Sequence, residues 1–181
     1  MPHDPAQTVS LLAATPPTLN ALLRPLPQLW THQNEGGDTW SPFEVIGHLI
    51  HCERADWMPR VRMIMQFGAS RTFEPLDRWA HQSAAATETV AARLDTFARL
   101  RSENLSELGS LHLSAEDLKR MGRHPDLGEV TLSELLATWA AHDLTHLHQI
   151  SRAMAHQYRE AVGPFQPYLG VMQCRGHGAP P

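Results

Sequence analysis

Two cysteines, two tyrosines and one lysine are all that this 181-residue chain holds of those types. Cys52 sits on an apolar stretch and Cys174 in a polar tail, so no structural disulfide is expected between them. Lys119 is the only lysine, and no phosphate-loop lysine motif is present. The Gly-x-Gly-x-x-Gly dinucleotide fingerprint and the Gly-x-Ser-x-Gly nucleophile elbow are also missing. No apolar run is long enough to span a bilayer. Pro2, Asp4 and Pro5 interrupt the stretch where a secretory leader would need an unbroken apolar core, so the expected location is a reduced cytoplasm, with no membrane partner. Positive charge is not in excess either. A formal charge of −4 lacks the basic face that a phosphate backbone requires, and no nucleic-acid partner is expected. Few segments alternate with the period of a strand, and no internal repeat is visible.

What remains is helical, in a chain of ordinary globular composition (42% hydrophobic, 19% charged). A first helical pattern covers residues 4–23 and must kink or start late around Pro16 and Pro17. Trp40-Ser41-Pro42-Phe43-Glu44 is a helix start, with Ser41 as N-cap, Pro42 at the first helical position and Glu44 closing a capping box. That second helix runs to about residue 67, with a kink at Pro59 and a stop at Gly68. A third covers about 83–108. A short helix begins at Ser114, and residues 123–130 form a turn with a brief extended segment. Thr131 and Glu134 cap a fourth long helix that reaches about residue 159. Residues 161–181, rich in proline and glycine, form an irregular tail. The expected fold is all-α: one domain over 1–181 with its core in about 5–160, a four-helix bundle in which the long middle connection permits a crossover.

Histidine is the residue type with chemistry to offer. His142 and His146 lie four apart on the fourth helix, stacked on one face where they can share a metal ion. With 12 histidines in the chain, about one such spacing arises by chance, so a third ligand is needed. On the second helix His48 falls near the inward face, between Val45, Leu49 and Cys52, and Gly47 beside it allows close helix approach. His51, one turn on, is the competing choice. Three imidazoles from two facing helices leave a coordination position open, as in reactive rather than closed structural sites. Asp143 and Glu44 are candidates for orientation or proton transfer, although capping already accounts for Glu44. His-Asp-Leu-Thr-His lacks the glutamate base of His-Glu-x-x-His metalloproteases. Cys52, Trp40, Trp57, Trp79 and Trp139 read as packing residues.

Three segments together resemble the DinB-like superfamily of metal-dependent enzymes: residues 40–49, residues 124–132, and residues 132–150 with Ala141-His142-Asp143-Leu144-Thr145-His146. The resemblance extends over about residues 10–158. It implies a four-helix bundle with a long crossover, a homodimer, and a divalent metal, zinc or nickel, held by His48, His142 and His146. It also implies a small-molecule substrate. Characterised members of the family include thiol transferases that use low-molecular-weight thiols such as bacillithiol or mycothiol, and glutathione-linked isomerases. The expected function is thus a metal-dependent hydrolase or thiol S-transferase. In the transferase case Arg54 or Arg62 would face a carboxylate of the thiol. The alternative is a stress-associated dimer that binds metal without catalysis.

Overall fold

The computed structural model describes residues 3–80 and 88–174. In chain order it has helix α1 (Pro5–Leu23), a single turn α2 (Gln28–Thr31), α3 (Pro42–Ala55) and α4 (Trp57–Phe67). Then come α5 (Val90–Ser110), strands β1 (Met121–His124) and β2 (Gly128–Thr131), α6 (Leu132–His156) and a final turn α7 (Gly170–Gln173). No helix among the described residues is long and apolar enough to cross a membrane.

Both capping boxes form. Ser41 Oγ accepts the Glu44 N–H while Glu44 Oε2 accepts the Ser41 N–H, and Thr131 and Glu134 repeat the exchange at the start of α6. Elsewhere the elements depart from expectation for identifiable reasons. The first helix starts at Pro5 under an Asp4 cap and continues through Pro16 and Pro17. Pro16 has no N–H to give the Leu12 carbonyl, and the Arg101 Nη1 donates to that oxygen instead at 2.8 Å. The kink expected at Pro59 falls one turn earlier, at Asp56, where α3 gives way to α4. The Pro59 ring crowds the carbonyl four residues before it, so the strain is relieved on the N-terminal side. Helix α5 starts at Val90 under a Thr89 cap, and the first five positions expected for it, 83–87, lie outside the described residues, as do tail residues 175–181. After Ser114 only a 3₁₀ turn forms, over Asp117–Lys119. Residues 121–131 pair as an antiparallel hairpin with His124 opposite Gly128. In the tail, a 3₁₀ segment over Gly163–Tyr168 precedes α7.

Side-chain bonds fix the relative directions of the bundle helices. Arg93 donates to the Phe43 carbonyl and Arg101 to Glu53, so α3 and α5 run parallel. His3, just before α1, reaches Ser133 at the start of α6, and these two helices are also parallel. Leu12 meets Arg101 while Arg24 pairs with Asp95, making α1 and α5 antiparallel. His48 faces His142 and Glu53 faces Trp139, making α3 and α6 antiparallel. Parallel neighbours cannot be joined by a tight turn. The connection from α4 to α5 must return the length of the bundle, which is the crossover.

Two hydrophobic clusters fill the bundle. One holds Leu12, Cys52, Trp57, Met58, Val61, Ile64, Phe73, Leu108, Leu132, Leu135, Leu136 and Trp139. The other holds Leu19, Leu23, Val45, Ile46, Leu49, Ile50, Leu94, Phe97 and Ile150. Along α5 the two are separated by Arg101, and along α6 by His142, Asp143 and His146. The mid-height of the bundle is a buried polar layer, and the histidines belong to it.

Candidate metal centre

The capping box fixes where α3 begins, and Arg93 fastens that end by donating to the Phe43 carbonyl with its guanidinium 3.6 Å over the Phe43 ring. Two turns in, His48 points to the bundle interior and is buried. From the antiparallel α6, His142 and His146 face it one turn apart. The three Nε2 atoms converge: His48 to His142 is 3.2 Å and His142 to His146 is 3.0 Å. One ligand atom from each residue lies within 4.8 Å of the other two.

These contacts are better matched to a shared cation than to hydrogen bonds among themselves. An imidazole Nε2 carries one proton or one lone pair, and His142 Nε2 is approached from two sides at once. Nitrogens bound at about 2.0–2.1 Å around a tetrahedral zinc would stand roughly 3.3 Å apart, close to the spacings observed. His146 Nδ1 is 2.7 Å from Gln149 Oε1. Because the amide oxygen only accepts, Nδ1 carries the proton and the Nε2 lone pair is directed to the cluster. Burial holds the His142 imidazole well below its ordinary proton affinity, helped by His146, His48 and the Arg101 and Arg78 charges, so it is neutral and able to ligate at pH 7. The donor set fits a divalent metal ion.

Aromatic rings enclose the cluster. Trp40 lies 4.9 Å from His48 and stacks at 6.3 Å on His146, and Trp57 meets His142 edge-on at 5.1 Å. On the core side Cys52 Sγ is 3.4 Å from His48 Nε2. Burial, with the neighbouring Asp56 and Glu53 charges, pushes its thiol far up, so Cys52 packs as a neutral group. Opposite, a cavity of about 370 Å³ reaches His142 and His146. Its walls include Asp38, Trp40, Trp79, Arg78, Thr145, Gln149 and Arg152.

The two carboxylates considered for proton transfer are engaged elsewhere. Glu44 Oε2 is held by Ser41 through both N–H and hydroxyl. Asp143 is fully buried, and its oxygens take Arg101 Nη1 at 2.6 Å and Nη2 at 2.9 Å. Arg101 also donates to Glu53, which accepts from Trp139 Nε1 and Asn104 as well. This network ties α1, α3, α5 and α6 together behind the histidines. His51 lies outside the cluster, with its Nε2 buried and lacking a hydrogen-bond partner among the described residues. Neither Arg54 nor Arg62 lines the cavity, and Arg62 pairs with Glu107 at the surface.

Arg101 and the cavity residues Arg78 and Gln149 were missed by sequence reasoning, and Trp40 and Trp79 were read only as packing. Arg101 had a signal, a charge in register with Phe97, Leu105 and Leu108 on an apolar stripe. Gln149, three residues after His146 on one helix face, had another. Arg78 had none, since it comes from an irregular connection.

Residues 11–150 match the family model described as the DinB superfamily. None of the curated proteins matches this chain at a significant level. Among solved structures, YfiT from Bacillus subtilis is similar over 88% of this chain and 87% of its own, with a TM-score of 0.70 and 17% identity. That protein is described as a probable metal-dependent hydrolase with an unusual four-helix bundle topology. The match runs from within α1 to the last turns of α6 and takes in His48, His142 and His146, and on that extent the chain belongs to the DinB superfamily.

Proposed function

We propose that this chain is a metal-dependent enzyme acting on a small molecule, with His48, His142 and His146 holding a divalent ion, zinc or nickel. The observation that carries this reading is the convergence of three Nε2 atoms where a cavity of about 370 Å³ reaches two of their rings. A divalent ion there supplies the Lewis acidity that turns water or a low-molecular-weight thiol into a nucleophile near neutral pH. Gln149 holds the His146 tautomer. Trp40 and Trp57 exclude water from the flanks of the cluster, and the Arg101 network keeps α3 and α6 in register.

Hydrolase and thiol S-transferase differ in what else the site must provide. Activation of water calls for a group that takes its proton. Glu44 and Asp143 are committed to Ser41 and Arg101, and among the described carboxylates only Asp38 lines the cavity. A thiol, with an ordinary pKa of about 8.5, needs less help to ionise. The thiol S-transferase is therefore the better supported branch. The test is an assay of the zinc-loaded and nickel-loaded full chain for conjugation of a small thiol to an electrophilic aryl halide, beside hydrolysis of an activated ester. Thiol-dependent turnover that disappears together with bound metal in His48→Ala supports the transferase. Ester hydrolysis indifferent to thiol returns the reading to a hydrolase. Metal bound without either activity, its coordination unaltered by added thiol, supports the non-catalytic alternative.

A further inference from the structure

The cavity beside the histidines has walls of defined chemistry, and its cations are not equivalent. Arg152 is buried and its charge is offset, with Nε and Nη2 on the Glu35 carboxylate at 2.7–2.9 Å, while its buried Nη1 has no hydrogen-bond partner among the described residues. Arg78 is exposed on the same cavity and engages no carboxylate among the described residues. Trp79 follows it, half exposed, and meets Trp40 edge to face at 5.5 Å. A ligand lying between the histidine rings and Arg78 is therefore flanked by indole surface and ends at a guanidinium, which binds a carboxylate through paired N–H donors. Asp38 lines the same cavity and disfavours a dianion such as a phosphate ester, because a single free arginine cannot offset both charges.

We infer that the ligand of this cavity is a small carboxylate monoanion, its acid group on Arg78, its apolar body along Trp40 and Trp79, and its reacting end at the three histidines. This rests on the metal-site reading above and names the substrate class for it. Arg78 is a specificity-determining residue in this assignment, and it contributes no chemistry to the reaction.

The test uses the full chain loaded with cobalt(II), whose absorption spectrum reports a thiol entering the site. Two probes of nearly equal size are titrated, 3-mercaptopropionate and its neutral amide, 3-mercaptopropionamide. The acid is expected to bind about tenfold or more tighter than the amide, the scale of one charge-assisted hydrogen-bonded pair. In Arg78→Ala the ratio falls to near one while cobalt stoichiometry is unchanged, and Arg78→Lys retains part of the preference. Equal binding of acid and amide to the parent chain overturns the inference. So does a preference that survives Arg78→Ala, since it would come from chelation by the probe itself. Displacement of the acid by equimolar inorganic phosphate overturns the assignment to a monoanion. A chain that takes up no cobalt overturns the metal-site reading, and this inference with it, whereas uptake with no charge preference overturns this inference alone.

Discussion

A histidine in this bundle matters through what its second nitrogen touches. His146 gives Nδ1–H to Gln149 and keeps Nε2 for the cluster, so the two residues act together. Replacing His146 with Ala is expected to take metal content from about one ion per chain to near zero with the helical circular dichroism retained, measured by elemental analysis of the purified variant. Gln149→Ala should keep the ligands but weaken metal affinity by about 10–100-fold, readable by chelator competition. Arg101 works differently. It is almost wholly buried between Glu53 and Asp143, and Arg101→Leu leaves two carboxylates buried without their counter-charge. The expected loss is about 3–5 kcal/mol, seen as a lower urea midpoint. A loss under about 1 kcal/mol would mean that the layer relaxes by admitting water.

At the scale of elements, packing decides what local rules leave open. Strand β1 crosses so close to α4 and the connection that follows it that a Cβ on Gly122 would stand 2.5 Å from the Phe73 ring and 2.6 Å from Ile64. Gly122→Ala is thus expected to cost about 1–3 kcal/mol through overpacking. Gly109, in the last turn of α5, has nothing within 4 Å of the same added atom, and Gly109→Ala should stabilise by up to about 1 kcal/mol. Opposite shifts in the two unfolding midpoints are the check. The helix starts were legible because caps are local, as Ser41 with Glu44 and Thr131 with Glu134 demonstrate. The fate of the prolines was not. Pro16 is tolerated because Arg101, remote in sequence, takes the carbonyl it leaves free, and Pro59 places the break at Asp56 rather than at itself.

For the whole molecule, the polar layer sits between two hydrophobic clusters that are each continuous without it. Removing a metal from His48, His142 and His146 should therefore loosen the contact of α3 with α6 without dissolving the bundle. A ligand present at about a hundred times its Kd stabilises by about 2.7 kcal/mol, which for a chain of this length raises Tm by roughly 5–10 °C. Scanning calorimetry with zinc or nickel added and then chelated should show this shift while helix content stays constant. A Tm indifferent to metal would deny the site any link to the fold. Retention should fall on acidification, because imidazoles must be unprotonated to ligate.

The sequence by itself determined the helical class, the starts of α3 and α6, and the placement of His142 and His146 on one face of α6, because each depends on residues within a turn or two of one another. It also singled out His48, through burial on an apolar face. What only the tertiary structure decided was which groups meet across elements: that Asp143 faces Arg101 and not the histidines, that Glu44 stays on its cap, and that Trp40 covers the cluster. Arg78 comes to the cavity wall from the long connection between parallel helices, and no periodicity or spacing announces a position set by the return path of a crossover.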